Sequence, residues 1–474
     1  MRTKQLGLII GPFLFLLSFL ISEPFISPVG DQVIAVAIWM ISWWVSEAVS
    51  ISVTALLPLL LFPILKIMPL DEVGGYYGSP IIFLFFGGFV LALALEKVNL
   101  HRRIALTIIK YTGATPNKVI LGFMIATGFL SMWISNTATT VVMLPIAMSV
   151  IYLLIKDEDG FTKKDKNFAL SVMLGIAFSA NAGGIATVIG TPPNSVLIGL
   201  LENEYNMEIS FLKWMALGLP FSILMIGIIY VVLITFFPSK GLDFNATKNV
   251  IQEQLDKLGP TSSKEKQVLL IFGITIALWI SRTLINSLLP GLKLNDTTIS
   301  MAGAIALFAI PHSFKKGDFI LEWKDTQKLS WGILILFGGG LALAKGMSAS
   351  GIVDRVSDLI SNTDLPIVIT VAILITFMLF LTELMSNVAL VAVLAPVVAG
   401  IAIGLEIPLL YVLIPVTMAS SCAFMLPMAT PPNAIVFASG YVKVNDMVRV
   451  GIFLNSIAIV LLIIMYQFVI PLVF

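Results

Sequence analysis

Apolar residues fill this chain in long blocks, and short polar, helix-breaking motifs interrupt the blocks at matched places. Segments 6–21, 33–49, 51–67, 217–237, 268–289 and 448–474 are nearly continuous apolar runs. About 20 such residues cross the hydrocarbon core of a bilayer, so each has spanning or near-spanning length. Two further runs, 119–154 and 366–405, are too long for one crossing and carry a polar pair midway, Ser135-Asn136 in the first and Ser386-Asn387 in the second. A helix that enters to mid-depth, turns at Ser-Asn and leaves on the same side accommodates both. Two other apolar stretches are broken by Thr191-Pro192-Pro193-Asn194 and Thr430-Pro431-Pro432-Asn433. Proline removes a backbone donor and disfavours helix in the residue before it, which predicts unwound backbone at Gly190-Thr191 and Ala429-Thr430. The expected fold is an all-α polytopic membrane protein with about eleven transmembrane helices and two re-entrant helical hairpins.

The motifs belong to a wider internal duplication. Phe86-Gly87-Gly88 matches Phe337-Gly338-Gly339, Ser135 matches Ser386 and Pro145 matches Pro396, each pair 251 residues apart. The Thr-Pro-Pro-Asn copies lie 239 apart, so the halves differ by about a dozen residues in between. Five crossings separate the copies in this scheme, and an odd number inverts the second. Paired, inverted and interrupted helices are the sequence mark of a secondary transporter whose site lies near the bilayer midplane.

Composition agrees: 58% of the 474 residues are hydrophobic and 12% are charged, against roughly 25% charged in a soluble domain. A net charge of +1 gives no reason to expect a nucleic-acid partner. One cysteine, Cys422, and two histidines, His101 and His312, exclude a disulfide framework and a multi-Cys/His metal centre. Both histidines are placed in cytoplasmic loops, and no organic cofactor is expected. Segment 6–21 is read as a retained first helix, because Ser22-Glu23-Pro24-Phe25 offers no small-residue cleavage site. With the N-terminus in the cytoplasm, 22 of the 28 Lys and Arg fall in cytoplasmic segments, among them Lys97, Arg102, Arg103, Lys156, Lys163, Lys164, Lys240, Lys315 and Lys316. The outer segments are poor in base and often acidic, as at 202–208. The polar stretch 239–266 reads as an interfacial connector between the halves.

Four helix ends with Ser, Asn and Thr side chains should therefore face a common site. Helix N-termini favour anions, and freed carbonyl oxygens favour small hard cations such as Na⁺. No Lys or Arg occurs in 119–155 or 367–442, so the charge of an anionic substrate must be met by helix ends, hydroxyls, amides or bound cations. Glue between transmembrane helices is the bland alternative for Ser, Asn and Gly; duplication in inverted halves disfavours it for the Ser-Asn motifs, whereas the paired glycines read as packing surfaces. Glu383 is an intramembrane carboxylate whose counterpart is Met132, outside the symmetric site. It is read as hairpin-stabilising, with gating or proton carriage as the alternative. Lys345 is expected to snorkel toward the outer end of its helix. A channel would need charge rings or a carbonyl filter, and an intramembrane enzyme would need a base beside Cys422; neither pattern is present in the sequence.

The paired Ser-Asn tips and Thr-Pro motifs resemble, over nearly the whole chain, the divalent anion/sodium symporter family, carriers of succinate, malate, citrate, 2-oxoglutarate and sometimes sulfate. The resemblance implies a homodimer in a bacterial cytoplasmic membrane that carries small dicarboxylate anions by elevator-like movement. It implies scaffold helices at 1–50, 51–115 and 266–364, a cytoplasmic connector at 238–265, and transport parts at 116–237 and 365–474, each a hairpin, a broken helix and a following helix. By match to the motifs, one sodium would be held by Ser131, Ser135, Asn136 and the backbone at Gly190, a second by Thr382, Asn387 and the backbone at Ala429. Substrate would meet Ser135, Asn136, Thr137, Thr191, Pro192, Ser386, Asn387, Val388, Thr430 and Pro431. Family members usually carry Thr where this chain has Val388, which removes a hydroxyl worth roughly 1.5–3 kcal/mol toward a charged group. On that ground exchange of one dicarboxylate for another is slightly favoured over sodium-coupled symport, which stands as the alternative.

Overall fold

The computed structural model describes residues 2–19, 26–113, 115–155, 162–239, 245–313, 317–361 and 365–474. The Ser22-Glu23-Pro24-Phe25 stretch, and Lys156, Lys240, Lys315 and Lys316 of the charge count, lie outside them. The architecture is helical, with one small antiparallel pairing of Pro311–Ser313 with Asp318–Phe319 among the described residues. Seven described helices are long and apolar enough to cross a membrane: Pro28–Ser46, Leu70–Lys97, Phe211–Phe236, Ser263–Leu288, Trp331–Ala349, Asn387–Gly404 and Val444–Val473.

Two apolar runs differ from a simple helix. Segment 51–67 splits into Ile51–Thr54 and Leu57–Ile64, as expected where Pro58 and Pro63 withhold donors from a short helix. The last helix runs regularly over Val444–Ile464, then widens into a π turn at Met465–Val469 before Ile470–Val473; Pro471 has no N–H to keep the α ladder going.

The polar connector is more ordered than a loop. It contains a helix, Asn245–Leu258, ended by Gly259 at φ +66, a conformation glycine adopts without strain. Arg103 reaches across to this end, donating to Leu258 O (3.2 Å) and Gly259 O (2.9 Å) while its Nε pairs with Glu265 at 2.6 Å. His101 also departs from its expected loop: it lies buried in the helix Leu100–Thr112, with Nδ1 3.0 Å from Leu95 O.

Both hairpins form where the Ser-Asn motifs stand. The first pairs Pro116–Ser131 with Asn136–Ile155, the second Ile367–Thr382 with Asn387–Gly404. The leading helix of each has 16 residues, about 24 Å at 1.5 Å per residue, short of a roughly 30 Å hydrocarbon core. Each hairpin is backed by one amphipathic helix at a glycine contact. A side chain at Gly122 would meet Ile109 Cα at 3.2 Å, and one at Gly400 would meet Val353 O at 2.8 Å, so Leu100–Thr112 lies on the leading arm of the first hairpin and Ile352–Ser361 on the trailing arm of the second. The duplicated glycines likewise lie against neighbouring helices, Gly87 on Ser300, Gly338 on Tyr77 and Gly339 on Ala55.

Candidate functional site

The Thr-Pro-Pro-Asn motifs break their helices as the proline chemistry requires. Lys163–Gly184 stops and Pro192–Tyr205 begins after residues 185–191; Leu409–Ser420 stops and Pro431–Ala438 begins after 421–430. Thr191 and Thr430 are both extended, at φ −140 with ψ 138 and 152, the region to which a following proline confines them. Four helices thus open on the four motifs, at Asn136, Pro192, Asn387 and Pro431. They interlock across the halves: Pro431–Ala438 packs on Asn136–Ile155, and Pro192–Tyr205 on Asn387–Gly404.

Unwound backbone inside a membrane must find partners, and the fourth motif residue supplies them. Asn194 Nδ2 lies 2.8 Å from Thr187 O and 3.5 Å from Gly184 O. Asn433 Nδ2 lies 3.1 Å from both Leu426 O and Ala423 O. These carbonyls are 239 residues apart, as are the two asparagines, so the bracing is duplicated residue for residue. Trp214 Nε1 adds a bond to Ile185 O (3.0 Å), Ser195 Oγ one to Val188 O (3.0 Å), and Ser222 Oγ one to Ala182 O. Sequence reasoning assigned no role to Asn194 or Asn433; their place as the repeated last residue of the motif was the signal.

The residues proposed to hold cations are buried beside the helix ends. Ser131 Oγ is 2.8 Å from Ala180 O and 2.6 Å from Asn136 Oδ1. A hydroxyl has one proton, so Ser131 can donate to one of these two oxygens and turns its lone pairs to the other. In the second half Thr382 Oγ donates to Ser420 O at 2.8 Å. Gly190 N donates to Thr187 Oγ (3.0 Å), and the Cα of Gly190 sits so close to the first break that a Cβ would come 2.5 Å from Gly184 O. A Cβ on Gly184 would in turn come 2.5 Å from Asn136 Oδ1. Ser131 Oγ and Asn136 Oδ1 therefore lie together beside Gly184, with Gly190 packed against the Gly184 carbonyl, and oxygens of this kind suit a hard cation. Thr382 and Ala429 are buried as well, and Ala429 N donates to Leu426 O.

Positions read as meeting substrate are more open. Ser135, Asn136, Pro192, Ser386, Asn387 and Val388 are half-buried, and Thr137 and Pro431 are exposed. Ser135 Oγ accepts from Ala138 N at 3.3 Å. Thr191 and Thr430 are buried, and Thr430 Oγ accepts from Asn433 N. Val388 packs against the apolar core.

Glu383 joins the second tip to the second break. Its Oε1 accepts from Phe424 N (2.9 Å), Met425 N (2.9 Å) and Asn455 Nδ2 (2.8 Å), and its Oε2 from Leu426 N (3.0 Å). The first half makes the same tie with reversed chemistry: Thr187 Oγ, the counterpart of Leu426, donates to Met132 O at 2.6 Å. The asymmetry of Glu383 thus reflects which side of the joint supplies the side chain. Lys345, expected to snorkel toward the outer end of its helix, lies 3.5 Å from Glu204, in the acidic stretch 202–208.

Comparison with known proteins bears on the family and the fold. A family model described as the sodium:sulfate symporter transmembrane region matches residues 2–474. The chain is 39% identical over 477 residues to the sodium-dependent dicarboxylate transporter SdcS of Staphylococcus saprophyticus, covering 99% of this chain and 92% of that protein. It is 40% identical over 478 residues to SdcS of Staphylococcus aureus, with the same coverage. The fold is shared with the Alcanivorax borkumensis YdaH transporter at a TM-score of 0.59 and 12% identity, over 84% of this chain and 87% of that one. These relatives are transporters, not enzymes.

Proposed function

Because the chain belongs to the sodium:sulfate symporter family, an all-α family of integral membrane transporters, we propose that it is a sodium-coupled symporter of small dicarboxylates in a bacterial cytoplasmic membrane. The slight preference for exchange gives way here to its alternative, since the relatives at about 40% identity are named sodium-dependent. A physical reason supports the change. The oxygens suited to a cation in the second half belong to Thr382, Asn387 and the backbone at Ala429, so the hydroxyl missing at Val388 alters a substrate contact and leaves the cation ligands intact.

The observation that carries the proposal is the pairing of Ser131 and Thr382, buried hydroxyls that each lie 2.8 Å from a carbonyl near the end of an interrupted helix, Ala180 O and Ser420 O. Two such hydroxyl oxygens, in inverted halves, put two cations beside tips that otherwise offer an anion only neutral donors. Sodium would sit at Ser131, Ser135, Asn136 and Gly190, and at Thr382, Asn387 and Ala429. Carboxylates would meet Asn136, Thr137, Ser386, Asn387, Thr191 and Thr430, with Pro192, Pro431 and Val388 beside them. A homodimer with moving parts 116–237 and 365–474 follows the family resemblance. The boundary with the scaffold includes the ion pairs Arg282–Glu208 (2.8 Å) and Lys345–Glu204 (3.5 Å).

Labelled succinate should enter substrate-free proteoliposomes when an inward sodium gradient is applied, and not when choline replaces sodium. Uptake that ignores sodium and needs a dicarboxylate inside would return the protein to exchange. For orientation, a cysteine at Lys164 should react with an impermeant thiol reagent only from the cytoplasmic side and one at Met207 only from outside. The opposite pattern would invert the charge-based topology.

A further inference from the structure

We infer that Asn181 is a positioning residue that presets the Thr430 hydroxyl as a hydrogen-bond donor toward the carboxylate of the transported anion, an assignment that rests on the dicarboxylate reading above. Asn181 lies on Lys163–Gly184, in the first half, and is 1% exposed. Its Nδ2 reaches into the second half, 3.0 Å from Thr430 Oγ, 3.3 Å from Ala423 O and 3.3 Å from Asn433 Oδ1.

Chemistry fixes which end of the amide faces this cluster. Ala423 O is a carbonyl and can only accept. Asn433 Oδ1 is also an acceptor, because Asn433 spends its own Nδ2 on the carbonyls of Ala423 and Leu426. Turning Asn181 over would set an oxygen against these oxygens, so the NH₂ must face them.

The Thr430 hydroxyl is thereby constrained. It accepts from Asn181 Nδ2 and, at 3.4 Å, from Asn433 N. A hydroxyl has two lone pairs and one proton. With both lone pairs engaged, what Thr430 has left to offer is its proton, which suits an anion and not a cation. Thr382 is the reverse case: its proton is committed to Ser420 O, and its lone pairs remain for a cation. The two threonines of the second half are thus sorted by their neighbours into anion donor and cation ligand. The sorting is particular to this half. Thr191 makes no side-chain cap at the start of its helix, and Ser420, 239 residues beyond Asn181, turns its hydroxyl to Thr417 O within its own helix.

The test is a double-mutant cycle in proteoliposomes, reading the KM for succinate and the sodium concentration for half-maximal uptake. N181L keeps the volume and removes the donor; T430V removes the hydroxyl. Each should raise the succinate KM about tenfold or more, with the sodium midpoint moved less than twofold. The double variant should be no worse than T430V alone, because Asn181 acts through that hydroxyl. Multiplying losses, or a sodium midpoint that rises in step with the succinate KM, would overturn the assignment. Should N181L fail to fold, T430S and T430V decide: serine should stay within about threefold of the parent KM while valine loses tenfold, and a T430V protein with the parent KM refutes the donor role. Absence of any sodium-driven succinate uptake by the unaltered protein is a different result, which defeats the functional reading itself.

Discussion

Glu383→Ala is expected to cost the protein most of its stability as well as its transport. The carboxylate accepts four hydrogen bonds, three from consecutive backbone N–H groups of the second break and one from Asn455. Oε1 takes three of these bonds and Oε2 one, so a single carboxylate, with about four lone-pair sites, meets every one of these donors. Truncation strands the donors in a site shut off from water. Each buried orphan costs on the order of 1–3 kcal/mol, and three backbone groups held in a fixed turn cannot all find new partners, which puts the loss at ~3 kcal/mol or more. Glu383→Gln is the more telling variant, since it keeps the shape but presents an NH₂ to groups that themselves donate. It should fold with a melting temperature in detergent well below the parent and with uptake reduced at least tenfold. Thr187→Val breaks the matching tie in the first half, one bond to Met132 O and one from Gly190 N, and should cost only about 1–2 kcal/mol. If Glu383 instead carried a coupling proton, Glu383→Gln would keep the parent melting temperature and lose the pH dependence of uptake. That outcome would restore the gating reading.

The parts of the fold legible in the sequence are those written by local chemistry. Prolines announce the two breaks and the extended threonines before them, Ser-Asn in an overlong apolar run announces a hairpin tip, and a constant register between copies announces the inverted pair. What escaped notice depends on groups far apart in the chain. Nothing near Glu383 points to Phe424 or Asn455, 41 and 72 residues away, and Asn181 meets Thr430 across 249 residues. The helix Asn245–Leu258 was hidden for a related reason. Its sequence is polar enough to read as a connector, and its end is held by Arg103, about 155 residues upstream. Asn194 and Asn433 are an intermediate case. They stand in plain view within the duplicated motif, yet their function is visible only once the unwound carbonyls they brace are in place.

Gly190→Ala and Gly184→Ala should separate the backbone of the first break from the side chain it supports. At Gly190 a methyl group would arrive 2.5 Å from Gly184 O and 3.1 Å from Gly184 Cα. Backbone must then move, and the same stretch is braced by Asn194, Trp214 and Thr187, so the break cannot yield without losing several bonds at once. Overpacking of this kind costs typically 1–3 kcal/mol, and here the displaced atoms are the ones proposed to hold a cation; sodium-driven uptake should fall below detection. At Gly184 the methyl group meets Asn136, 2.5 Å from Oδ1 and 3.1 Å from Nδ2, and a side-chain amide can swing aside where backbone cannot. Gly184→Ala should therefore fold normally and keep some transport, but need at least tenfold more sodium for half-maximal uptake, because Asn136 leaves its place beside Ser131. Asn136→Ala, which removes the amide altogether, bounds that effect from above. A Gly184→Ala protein with the parent sodium dependence but a raised succinate KM would assign Asn136 to the anion alone and move the first cation away from Ser131 and Gly190.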